Sequence, residues 1–97
     1  MTIKFYDTSS LLLKADNLFN EENKIAISSI TLNELEKIKN ASNKDPDIKY
    51  NARQVLKELE EHYGNYIIII FKEEYLNNFK EFEINNDIKI LACADAL

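Results

Sequence analysis

The chain has 97 residues, 45% of them hydrophobic and 30% charged, with a net charge of -5. That leaves room for one domain with a modest core and argues against disorder. A uniformly acidic surface is a poor match for nucleic acid, because phosphate contacts supply most of that affinity, and the single cysteine, Cys93, excludes both an internal disulfide and a cysteine-anchored zinc site.

Ile3-Lys4-Phe5-Tyr6 reads as a short strand that ends at Asp7, with the helix starters Thr8, Ser9 and Ser10 behind it. Leu11, Leu12, Leu13, Ala15, Leu18 and Phe19 predict a strongly apolar, well-buried helix. The stretch Asn20-Glu21-Glu22-Asn23 is a polar break, and Lys24-Ile25-Ala26-Ile27 is a second strand. A helix is predicted from about Thr31 to Lys39, with Leu32, Leu35 and Ile38 on one face. Asn40 to Asp47 is a polar loop containing the one proline. A longer amphipathic helix follows from about Ile48, carrying Ala52, Val55, Leu56 and Leu59 on its apolar side and stopping at Gly64.

Tyr66 to Phe71 is a continuous apolar, β-branched run, which as a strand implies cover on both faces. It is also the longest apolar run, far too short to cross a membrane, and no signal peptide precedes it. The expectation is a soluble cytoplasmic protein. Tyr75, Leu76, Phe79 and Phe82 predict a short helix within Lys72 to Glu83, and Asp87 to Leu97 reads as the last helix, with Cys93 in its core. Alternating strands and helices imply a parallel sheet with right-handed crossovers, flanked by helices in three layers. No internal repeat, linker or second domain is visible in residues 1–97.

Charge is uneven along the chain. Between Lys37 and Arg53 five basic side chains (Lys37, Lys39, Lys44, Lys49 and Arg53) accompany two acidic ones, a net of +3 that leaves -8 for the rest. The strip is either an RNA contact or a solvated helix face. His62, beside Glu60 and Glu61 at the end of a charged helix, reads as a surface residue.

Open parallel sheets bind ligands at the carboxyl ends of their strands. Asp7 follows the first strand, Glu34 lies near the start of the helix after the second, and Asp87 opens the final helix. Three acids on one rim would bind a hard divalent cation, which offsets their repulsion. Each also has a plainer role. Asp7 and Asp87 are good helix starters, and Thr31-Leu32-Asn33-Glu34 matches a capping box, in which the glutamate bonds the cap backbone.

Phe5-Tyr6-Asp7-Thr8-Ser9 resembles the opening motif of PIN domains, two hydrophobic residues followed by Asp-Thr-Ser/Asn. Ser28-Ser29-Ile30-Thr31-Leu32-Asn33-Glu34-Leu35 is similar to the family's second acidic motif, and Asn86-Asp87-Ile88-Lys89-Ile90-Leu91-Ala92-Cys93-Ala94 to its third. Tyr50-Asn51-Ala52-Arg53-Gln54-Val55-Leu56 resembles a helix of the PIN module fused to PhoH-like ATPases.

The resemblance implies a metal-dependent ribonuclease acting on single-stranded RNA. Asp7, Glu34 and Asp87 would hold Mg²⁺ or Mn²⁺, and Thr8 or Ser9 would support a carboxylate or a metal-bound water. The Lys37–Arg53 strip would contact RNA. The resemblance also implies a later strand bearing a fourth acid, and this sequence stops at Leu97. Asp95 is no substitute, since eight residues along a helix carry it about 12 Å from Asp87.

The expectation is therefore a C-terminally incomplete domain whose first strand is an open edge, able to pair with a second copy. Catalysis beyond that point would require the domain to be completed. A non-catalytic, PIN-derived module that binds RNA or protein is the alternative. A receiver-like signalling domain would need an aspartate after Phe71, where Lys72 and Glu73 stand. An ATPase would need a glycine-rich phosphate loop, and the chain has one glycine.

Overall fold

The computed structural model describes residues 3–19 and 24–97. The predicted polar break at Asn20–Asn23 lies outside the described residues. Three strands, β1 (Ile3–Tyr6), β2 (Lys24–Ser28) and β3 (Tyr66–Ile69), form a parallel sheet in the order β1-β2-β3. Phe5 stands opposite Ala26, and Ile27 opposite Ile68. The helices are α1 (Thr8–Lys14), α2 (Ser29–Asn40), α3 (Pro46–Glu61) and α4 (Asn86–Ala96), with 3₁₀ segments at Ala15–Asn17 and Glu73–Phe79. The fold is α/β, a parallel sheet flanked by helices. Among the described residues no helix is long and apolar enough to cross a membrane.

Strand side chains alternate between faces, and β2 shows what covers each one. Ile25 and Ile27 join a core with Leu11 of α1, Leu35 of α2, and Ala52, Val55 and Leu59 of α3. Ala26 and Ser28 point the other way and are equally buried. There the Ser28 hydroxyl meets the buried Cys93 thiol of α4, with Oγ and Sγ 3.3 Å apart. So α1, α2 and α3 form one layer and α4 the opposite one.

Local chemistry sets the helix ends. Asp45 caps α3 by accepting the Asp47 N–H at 2.8 Å, and Pro46 stands in the first turn, where a missing N–H costs nothing. Asn85 caps α4 through the Ile88 N–H at 3.0 Å.

Three expectations need correction. The first helix is shorter than predicted: it ends at Ala15, whose φ of 45° closes the last turn, and only Leu11 and Leu18 are fully buried. Leu13, between Leu12 and Lys14, is 88% exposed, on the face of the helix that does not join the core. The apolar run at Tyr66 is not covered on both faces. It forms an edge strand, with Ile68 42% and Ile70 67% exposed, and the doubly covered strand is the central β2. His62 is a packing residue, stacked on Phe19 with ring centroids 4.4 Å apart, while its Nε2 meets Glu58 Oε2 at 3.2 Å.

Candidate active site

The parallel register sets Tyr6 opposite Ile27, so β1 and β2 end side by side. Asp7 leaves the first of these ends and Ser28 closes the second. Asp7 remains extended (φ -83°, ψ 178°), and its carboxylate accepts the Ser10 N–H at 2.8 Å, capping α1. Its cap role and its place on the rim come from the same backbone turn. Across from it, Asp87 stands in the first turn of α4. A cleft of ≈ 470 Å³ runs between the two, lined by the polar Asp7, Thr8, Ser9 and Asp87 and by apolar side chains such as Phe5 and Leu91.

Glu34 joins these two sides. Thr8 Oγ1 donates to its Oε1 at 2.5 Å, and Asn86 Nδ2 donates to its Oε2 at 3.5 Å. Each donor is the immediate neighbour of one of the other acids. Asp7 and Asp87 thus line one cleft, and Glu34, which is not among its lining residues, is bonded to the neighbour of each. The donors that meet Asp7 and Glu34 are neutral: a backbone N–H, a hydroxyl and an amide.

The capping-box expectation for Glu34 fails. Ser28 is the N-cap of α2, accepting the Ile30 N–H at 3.0 Å, and the helix begins at Ser29. Glu34 thus sits in the second turn, beyond reach of the cap, and Thr31 is buried instead of capping. Thr31 Oγ1 lies 3.2 Å from Thr8 Oγ1. Neither Thr31 nor Asn86 stood out in the sequence as a site residue. The signal for Asn86 was its place beside Asp87, while Thr31 was masked by its fit to a cap. Ser9 lines the cleft and is exposed. Close by, the Ser29 hydroxyl accepts the Phe71 N–H at 2.9 Å and pins the segment after β3.

Of the basic strip, Lys39 and Arg53 line a groove between α2 and α3 of ≈ 490 Å³, shared with Glu36, Lys57, Glu60 and Tyr66. Lys39 Nζ pairs with Glu36 Oε2 at 3.4 Å. Lys37, Lys44 and Lys49 lie outside that groove, on α2, the following loop and α3. Burial, and next the nearby Tyr63, push the Tyr66 hydroxyl above its usual pKa of 10.0.

A family model described as PIN domain matches residues 5–97, nearly the whole chain. The chain belongs to the PIN domain family, a class of nuclease-type modules that in general use divalent metals. No curated protein and no solved structure matches it.

The donor set suits such a metal, since carboxylate oxygens backed by hydroxyls are the hard ligands that Mg²⁺ and Mn²⁺ take. As the side chains stand, no three His, Cys, Asp or Glu among the described residues are close enough together to hold an ion. Binding would therefore draw the acids inward from the rim.

Proposed function

We propose that this protein is a metal-dependent endoribonuclease whose chemistry takes place at the rim between the N-termini of α1 and α4. The observation that carries the reading is the pair of hydrogen bonds through which Glu34 spans Thr8 and Asn86. That pair links Glu34 to the neighbours of Asp7 and Asp87, which supports a shared role for the three acids.

Asp7, Glu34 and Asp87 are the residues that would hold Mg²⁺ or Mn²⁺. When bound, such an ion lowers the pKa of a coordinated water and neutralises charge developing on the scissile phosphate. The chain's own part is orientation. The Ser10 N–H fixes one Asp7 oxygen, and Thr8 and Asn86 meet the two oxygens of Glu34, which holds these acids beside the cleft. The N-terminus of α4 adds a positive dipole end that favours a carboxylate at Asp87.

RNA is the substrate class we favour, and the likeness of Tyr50–Leu56 to the module of PhoH-like proteins supports an RNA-directed role. A second reading is a PIN-derived binding module that retains the fold without catalysis. It draws on the dispersed acids and on Lys39 and Arg53 converging at the α2–α3 groove.

Incubating the purified chain with single-stranded RNA and Mn²⁺ separates the two readings. Cleavage that disappears in Asp7→Asn supports the nuclease. Cleavage that survives the substitution removes the assignment of Asp7, and RNA binding without any cleavage favours the binding module.

A further inference from the structure

Thr31 is a buried hydroxyl at a position where burial favours an apolar side chain. It is 0% exposed in the third residue of α2, close to Leu35 and one turn before Glu34. A buried hydroxyl left unpaired costs free energy, and no buried side-chain oxygen or nitrogen among the described residues lacks a partner. The partner here is Thr8, 3.2 Å away.

Proton counting sets the direction of that bond. A threonine hydroxyl has one proton to give and two lone pairs to receive with. Thr8 lies 2.5 Å from a Glu34 carboxylate oxygen, which can only accept, so the Thr8 proton goes there. The Thr31 hydroxyl is then the donor across the 3.2 Å contact. We infer that Thr31 is a positioning residue: by donating to Thr8, it fixes the Thr8 hydroxyl with its proton aimed at Glu34. The chain of bonds Thr31 to Thr8 to Glu34 also gains from mutual polarisation, since a hydroxyl that accepts becomes a better donor. Without Thr31, the Thr8 hydroxyl could rotate away, leaving Glu34 one anchor, the longer contact from Asn86 at 3.5 Å.

The relay itself stands on geometry alone; its effect on a metal rests on the nuclease reading above. Two measurements keep these apart, using Thr31→Val, which preserves shape, and Thr31→Ser, which preserves the hydroxyl. In the metal-free protein, proton NMR follows exchange of the Thr8 hydroxyl. Slow exchange in the wild type and in Thr31→Ser, lost in Thr31→Val, is the expected result.

In the second measurement, Mn²⁺ titration followed by electron paramagnetic resonance should show about tenfold weaker binding for Thr31→Val, the lower end of the effect of residues that support metal ligands, and near-normal binding for Thr31→Ser. Thr8→Val, which cuts the relay at its other end, should weaken Mn²⁺ binding to a similar degree. A Thr8 proton that stays protected in Thr31→Val, or that exchanges fast in the wild type, overturns the proposal. Loss of protection in a protein that binds no Mn²⁺ at all upholds the relay and sinks the metal reading.

Discussion

The rim cleft and the α2–α3 groove, both formed by described residues, are of similar size but treat charge in opposite ways. The α2–α3 groove, ≈ 490 Å³, interleaves Glu36 and Glu60 with Lys39, Arg53 and Lys57 and closes one ion pair at 3.4 Å. The rim cleft, ≈ 470 Å³, is lined by Asp7 and Asp87, and Glu34 near it meets a hydroxyl and an amide. Neutral donors orient a carboxylate without pairing it with a cation. The groove thus mixes both signs of charge, whereas the rim brings acids together with neutral donors alone.

Single substitutions in each depression should behave differently. The largest expected effect is at the rim: Asp87→Asn should lower Mn²⁺-dependent RNA cleavage by about 10²-fold or more, since metal stabilisation of transition-state charge is worth several kcal/mol. Single-turnover rates at saturating RNA are the check. Beneath the groove lies packing, not chemistry. Leu35, fully buried in the core, should cost about 2–5 kcal/mol as Leu35→Ala, read from urea unfolding, and a mutant as stable as the wild type would show the core to be misassigned.

Next comes the groove itself. If it touches RNA, Arg53→Gln should weaken binding across sequences and reduce the salt slope by about 1, whereas Asp87→Asn should not reduce that slope. An unchanged slope for Arg53→Gln would leave the groove without an RNA role.

The smallest effect concerns Tyr66 at the groove's edge. Its folded pKa is raised, by burial first and Tyr63 second, so the folded state favours the neutral phenol. The resulting stability is fully present below pH 10 and is lost as pH rises through the folded value. Tyr66→Phe should therefore show a shallower fall in melting temperature above pH 10.

How far these features were legible in the sequence depends on whether their causes are local. The strand at Ile3–Tyr6 and the extended, helix-starting Asp7 follow from neighbouring residues and were readable. The helix at Pro46–Glu61 was readable too, although its start was placed two residues late because Asp45 and Pro46 look like loop residues until the cap is seen.

The ranking of β2 and β3 was not readable. Four consecutive isoleucines look more deeply buried than Lys-Ile-Ala-Ile-Ser, but burial on both faces depends on which strand lies in the middle, and that is settled by distant pairings. Glu34 shows the same limit within the site. Its spacing from Thr31 fits a capping box, yet Ser28 takes the cap and frees both Thr31 and Glu34 for contacts with Thr8, more than 20 residues away.

The half-exposed β3 also has a bearing on how the protein behaves when it melts. Tyr66-Ile67-Ile68-Ile69-Ile70-Phe71 is a hexapeptide without charge, proline or glycine, the composition that stacks into dry steric zippers once released. In the folded chain one edge of it is pinned to β2, and Lys72, Glu73 and Glu74 follow directly as charged gatekeepers. Heating frees the paired edge as well. Thermal unfolding should accordingly end in insoluble fibres, and Ile70→Lys, placed where the side chain already faces water, should restore reversible refolding.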